Sequence, residues 1–168
     1  MATLLLPCDG SASALLAVRH AIAEFRQGDA QRIHLLNVQP PFSHYVNRYT
    51  APQLRADFHR ERADEELAEA RRMLDAAGVP NLAHFQIGDK ARCIAEMARQ
   101  LHCDRVLIGT ARKSAFVRAV EHSLTNQLLE SCPVPVEVIG GAPARMIERI
   151  GIPAGVGAGL ALLLASQA

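Results

Sequence analysis

The sequence predicts an α/β domain with a five-stranded parallel sheet and helices on both faces. Three observations predict it. Five short apolar runs alternate with four stretches of helical periodicity. Turn-forming Gly, Pro, Asp and Ser residues punctuate the junctions. The chain has 168 residues, 49% of them hydrophobic, and a domain of that size buries about 68–70% of its unfolded surface without disulfide or metal staples.

Taken in order, Thr3–Cys8 is an apolar run stopped by Asp9-Gly10-Ser11, and it reads as a buried strand. Leu15, Val18, Ile22 and Phe25 recur three and four apart, which predicts a helix with Ser11 or Ser13 as N-cap and Gly28 as its stop. Arg32–Val38 is the second strand, closed by Pro40-Pro41, and the polar and aromatic stretch Phe42–Thr50 is expected to be loop. Gln53–Ala77 is the longest helical stretch, with an apolar stripe of Leu54, Phe58, Leu67 and Leu74. Its Arg60/Asp64 and Arg62/Glu66 pairs are placed on wet faces, and Gly78 and Pro80 end it. Leu82–Ile87 is the third strand. Asp89 then caps a helix that runs through Leu101 with Ile94, Met97 and Leu101 inward. Arg105–Gly109 is the fourth strand, and Thr110–Glu121 a long, partly basic connection. Ser123–Ser131 reads as a helix and Val134–Ile139 as the last strand. Pro135 cannot donate to a ladder, which assigns that strand to a sheet edge.

Strands alternating with helices imply right-handed crossovers and a parallel sheet. Ligands of such sheets bind beyond the carboxyl ends of the strands, where the strand order reverses. Here those ends carry Asp9, Val38 and Gly109, and the arrangement nominates a nucleotide-sized crevice.

Composition narrows the function. Lys+Arg 18 against Asp+Glu 17 lacks the basic excess of a nucleic-acid binder, and 4% aromatic residues are too few for a stacking platform, so no nucleic-acid partner is expected. Cys8, Cys93, Cys103 and Cys132 form no C-x-x-C pair and lie at no zinc-finger spacing from a histidine, so they read as small buried hydrophobes. His102, Cys103 and Asp104 have the side chains of a thiol triad, but as chain neighbours they diverge. No P-loop, nucleophile elbow, H-E-x-x-H or G-x-G-x-x-G motif is present, so neither a catalytic residue nor a metal ligand is assigned and the chain is not expected to be an enzyme. The start, MATLLLPCDG, has no export-signal pattern, which points to the cytoplasm.

Three segments carry a family resemblance. LLLPCDGS, RIHLLNVQPP and RVLIGTARKSAFVRAVEHSLTNQLLESCPVPVEVI, in that order over about Met1–Ile139, resemble the universal stress protein family. The resemblance implies a Rossmann-like (adenine nucleotide alpha hydrolase-like) five-stranded domain, usually a homodimer paired through its last strand, here Val134–Ile139. One branch of that family binds ATP, with Mg, through a G-x-x-G-x9-G-[S/T] loop. The corresponding positions here are Gly109, Arg112, His122 and Ser123, so the first glycine and the serine are kept and the other two glycines are replaced. Loop glycines let backbone N–H groups approach phosphate oxygens closely. Arg112, with Lys113 and Arg118, either supplies that charge from side chains or is a solvated basic loop. His122 puts bulk at a helix N-terminus where a phosphate would lie. Pro7 and Asp9 match the first-strand end of the site and Val38 its adenine side. Asp9 is equally a turn residue, Val38 equally strand core, and Ser123 equally a helix cap.

The last part of the chain departs from this pattern. A domain over residues 1–141 is followed by a Gly-rich hydrophobic tail, 142–168. Arg145 and Arg149 precede Ile150–Ala165, which carries no charge and spaces Gly151, Gly155 and Gly159 four apart. As a helix this stretch would be about 24 Å long against a hydrocarbon core of about 30 Å. It either touches a membrane or packs on protein. The expectation is therefore a dimeric, non-catalytic stress-response domain with a degenerate nucleotide loop. An ATP sensor using the altered loop is the alternative, and a nucleotide hydrolase a more distant one.

Overall fold

The computed structural model describes residues 1–110, 124 and 126–140. Strands β1 (Ala2–Pro7), β2 (Ala30–Gln39), β3 (Asn81–Ile87), β4 (Arg105–Thr110) and β5 (Val136–Gly140) form one sheet in the order β3-β2-β1-β4-β5, and every neighbouring pair is parallel. The order reverses between β1 and β4, so the carboxyl ends of these two strands flank the predicted crevice.

Helices cover both faces. On one, α1 (Ala12–Gln27) and α3 (Pro52–Ala76) pack over Leu4, Leu6, Ile33, Leu35 and Leu107. On the other, α4 (Lys90–Gln100) and the helical residues 126–131 pack over Leu5, Leu36, Val38 and Val106. The alternation of Leu4, Leu5 and Leu6 between two cores is the period-2 geometry of a strand buried on both sides.

Local chemistry sets the helix ends as the sequence predicts. The Ser11 hydroxyl accepts from the Ala14 N–H (3.2 Å), and the Asp89 carboxylate accepts from the Arg92 N–H (3.0 Å). Gly28 stands at φ 83°, with its N–H donating to the Phe25 carbonyl while Asp29 N–H reaches Glu24, a Schellman closure of α1.

Three expectations are corrected. Phe42–Thr50 is not all loop: His44–Tyr49 forms a short helix, α2. It buries no residue, and is held instead by the Ser43 cap and by Arg55, whose guanidinium donates to the carbonyls of Asn47 (2.5 Å) and Thr50 (2.9 Å). The buried face of α3 is His59, Ala63, Leu67, Ala70 and Leu74, while Leu54 and Phe58 are 63% and 47% exposed. His59 lies beside Gln39, the last residue of β2, so earlier residues of α3 run past the end of the sheet. The last strand starts two residues late: Pro135 precedes it and contributes only its carbonyl, which accepts from the Val106 N–H (2.9 Å). The strand does lie at a sheet edge.

Arg112, His122, Ser123 and the tail with Ile150–Ala165 lie outside the described residues. Among the described residues, no helix is long and apolar enough to cross a membrane.

Two consequences can be measured. A Cβ built on Gly109 would lie 1.7 Å from the Ser13 carbonyl oxygen and 2.6 Å from its carbon, both backbone atoms. Gly109→Ala must therefore push the first turn of α1 off β4, and is expected to lower stability by about 3 kcal/mol in urea unfolding. The second concerns protons. On the β2–β3 pair, His34 Nδ1 and His84 Nε2 are 3.0 Å apart and share one hydrogen bond, which needs a neutral ring as acceptor. Burial, then His84, then Arg32 lower the His34 pKa; burial lowers that of His84; burial, then Arg62, lower that of His59. The unfolded chain thus binds these protons more readily than the folded one. Stability is complete above the ordinary histidine value of 6.5 and is lost as pH falls from there through the lowered folded values. Denaturant melts between about pH 7.5 and about pH 5 should show this loss, with a shallower slope in His84→Gln.

Candidate functional site

At the reversal point β1 ends in Pro7 and the chain turns through Cys8-Asp9-Gly10. Gly10 takes φ 73°, a left-handed conformation natural to glycine, and the Asp9 carboxylate accepts from the Ser11 N–H (3.1 Å). Asp9 is thus the turn residue and Ser11 the helix cap, and the exposed Asp9 also lines the crevice. The Ser11 and Ser13 hydroxyls meet at 2.9 Å on the same rim.

A cavity of about 100 Å3 is lined here by Pro7, Asp9, Val38, Gly109, Thr110 and Lys90, among others. Four of the seven residues nominated from the sequence, Pro7, Asp9, Val38 and Gly109, therefore share one wall-to-wall space. Next to it runs a wider groove of about 570 Å3 between the β2 end and α3, with Phe42, Phe58, Arg62 and Glu66 on its far side. Asp9, Val38 and Lys90 line both spaces, which makes them one crevice with a narrow and a wide part. The wide part lies in the range of about 300–1,000 Å3 typical of small-molecule sites, and the narrow part is below it.

Val38 offers more than a side chain. The last rung between β1 and β2 is Cys8 N–H to Leu36 carbonyl (2.8 Å), and on the other side Gly88 N–H donates to the Gln39 carbonyl (2.9 Å). Backbone groups alternate in direction along a strand. The N–H and C=O of Val38 therefore point as those of Leu36 do, into the space beyond the end of β1. That gives one donor and one acceptor side by side on a rigid strand.

A buried polar chain supports this end of β2. The Asn37 amide donates to the Cys8 carbonyl (2.9 Å) and to Glu66 (2.7 Å). The Gln39 amide donates to Asn37 Oδ1 (3.0 Å) and to the His59 carbonyl (2.9 Å), and Gln39 Oε1 accepts from His59 Nδ1 (2.6 Å). Arg62 holds the other Glu66 oxygen (2.9 Å). Among the described residues, no buried side-chain nitrogen or oxygen lacks a partner. Sequence reading placed Glu66 on a wet face, whereas it joins this chain because Asn37 reaches it from the sheet.

Lys90, Arg62 and Glu66 are charged groups of the crevice that sequence reasoning missed. Lys90 directly follows the Asp89 cap, and that cap is the signal that would have put it at the crevice mouth. Cys8, Cys93 and Cys103 are buried as expected, whereas Cys132 is only partly buried. Burial, then Asp9, push the Cys8 thiol up to about 12, and burial, then Asp104 and Cys132, push Cys103 up to about 11. Both stay protonated, and Asp104 is engaged with the Thr3 N–H (2.7 Å) rather than with a triad.

Comparison with known proteins agrees with this architecture. A universal stress protein of Methanocaldococcus jannaschii is 25% identical over 138 residues, spanning 81% of this chain and 80% of that protein. The crystal structure of a universal stress protein family member from Burkholderia pseudomallei is similar with a TM-score of 0.64 at 23% identity, over 82% of this chain and 95% of that one. A family protein from Arabidopsis thaliana, solved with AMP bound, has a TM-score of 0.62 at 16% identity, over 86% and 97% of the two chains. The family model described as the universal stress protein family matches residues 1–140, and on that match the chain belongs to the universal stress protein family.

Proposed function

We propose that this chain is a non-catalytic regulatory domain of the stress-response type, a homodimer through β5, whose crevice holds the adenosine end of an adenine nucleotide and grips its phosphates weakly. The observation that carries the reading is the convergence of Asp9, the free backbone edge of Val38 and Lys90 on one crevice at the β1/β4 reversal. A base with a neighbouring acceptor and donor, as adenine has at N1 and N6, matches the Val38 N–H and C=O pair. The Asp9 carboxylate suits ribose hydroxyls, which donate to it. The Arabidopsis protein of similar fold has AMP bound, which supports the ligand class.

The phosphate end is less well provided. Gly109 is a glycine because the Ser13 backbone occupies the space of its Cβ, and this packing reason leaves the match to a phosphate loop unsupported at that position. Lys90 supplies one cation at the mouth, while Arg112 and His122 stand where an ATP-binding loop has glycines. The residues thus fit the adenosine end of ATP better than a triphosphate with its Mg. The high thiol pKa of Cys8, in the cavity wall, supports a binding role over nucleophilic chemistry.

Isothermal titration of the full chain with AMP and with Mg-ATP tests the reading. Both should bind, within about threefold of each other, and Asp9→Ala should weaken both by about tenfold, a change of about 1.4 kcal/mol. No heat at millimolar nucleotide would overturn nucleotide binding. Much tighter Mg-ATP would instead assign the phosphates to Arg112 and its neighbours. The dimer has its own test. Among the described residues β5 is an edge strand with Val138 43% exposed, a ladder edge that a second β5 can pair with. Val138→Glu should convert the dimer to monomer in sedimentation equilibrium, and a monomeric parent chain would sink the proposal.

A further inference from the structure

On the side of the sheet that α1 covers, and away from the crevice, three elements bring four ionisable side chains together. His20 and Glu24 stand one turn apart on α1, Arg105 is on β4 and Glu137 on β5. His20 Nε2 lies 3.1 Å from Glu24 Oε1 and 3.4 Å from Glu137 Oε1, and the three donor atoms lie within 4.8 Å of one another. The other oxygen of each carboxylate is already taken. Arg105 Nη2 donates to Glu24 Oε2 (2.5 Å), and Arg105 Nη1 donates to Glu137 Oε2 (3.0 Å).

We propose that His20, Glu24 and Glu137 form a binding site for a zinc-class divalent cation, with Arg105 as the positioning residue behind it. Around a tetrahedral zinc with bonds of about 2.0–2.2 Å, donor atoms stand about 3.3–3.5 Å apart, close to the two separations from His20. The guanidinium plays the part of an outer-shell partner: it orients both carboxylates and leaves one oxygen of each turned toward the imidazole. Charge points the same way. Two carboxylates share the one guanidinium of Arg105, which leaves a net −1 among the three side chains, with Glu24 only 10% exposed. A cation between the three donors takes up that charge. An imidazole nitrogen among the donors favours zinc over calcium or magnesium, which prefer all-oxygen shells. His20 and Glu137 are 40% and 39% exposed on their side chains, so a cation can enter from solvent and keep water in its remaining position.

The full chain, stripped with a chelator and titrated with zinc against a chromophoric competitor, should take up one zinc per chain. His20→Ala and Glu137→Gln should each weaken uptake at least tenfold, while His84→Gln, in the separate His34–His84 pair, leaves it unchanged. Cobalt(II) on the unaltered chain gives a reading independent of how the variants fold. Visible bands without a thiolate charge-transfer band are expected, because no cysteine is in the site. Three results would overturn the proposal: no uptake at micromolar zinc, which leaves a hydrogen-bonded network only; loss in His84→Gln with retention in His20→Ala; or a thiolate band with cobalt.

Discussion

The constraint on which the rest of the molecule depends is the approach of the first turn of α1 to the end of β4. The Ser13 backbone sits where a side chain on residue 109 would be, so helix and strand meet backbone to backbone. Only glycine permits this, and the consequence runs along the whole helix. With its N-terminus pinned, α1 lays Ala14, Ala17, Val18 and Ala21 over the sheet centre, and these small residues keep the helix close. The same placement puts Ser11 and Ser13 on the crevice rim and, two and three turns on, His20 and Glu24 beside β4 and β5.

A second constraint acts from the opposite wall. The chain Cys8–Asn37–Gln39–His59, with Glu66 and Arg62 attached, links the end of β1, the end of β2 and the middle of α3 through hydrogen bonds of 2.6–3.0 Å. Buried polar groups are tolerated when every member has a partner, and then they specify geometry that apolar packing alone would leave loose. Here they fix where β2 stops relative to β1, and that offset is what leaves the Val38 backbone edge without a strand opposite it.

The fold was legible because its signals are local. Ser11, Gly28 and Asp89 act on N–H and C=O groups within a few residues, and the apolar runs report burial directly. What was not legible depends on contacts distant in sequence. The helix α2 buries nothing, so no apolar period announces it, and its anchor, Arg55, lies outside it. The α3 stripe was drawn through Leu54 and Phe58 because the sequence does not say where the sheet beneath ends. At the site, Asp9, Val38 and Gly109 could be read from their places at strand ends and Lys90 from the Asp89 cap before it, whereas Glu66 comes in from a helix whose rotation is set by tertiary packing. Gly109 shows a subtler limit, since a motif position suited to phosphate is also one that packing demands.

These two walls differ in stiffness, and that difference decides how a ligand larger than the narrow cavity can be taken in. The wall made by α1 and β4 is fixed by backbone contact at Gly109 and by a fully buried core, so it cannot give without unpacking Leu4, Leu6 and Leu107. The wall made by Pro40–Ser43 and the first turns of α3 has almost no buried apolar residue and is held by a few hydrogen bonds and by tilted ring contacts, Phe42 with Phe58 at 5.5 Å and with His59 at 4.4 Å. Segments with few buried contacts open at the lowest free-energy cost. For the proposed ligand, adjustment would therefore fall on the Pro40–Ser43 and α3 side, where the crevice is already wide, while the α1 side would serve as the fixed reference.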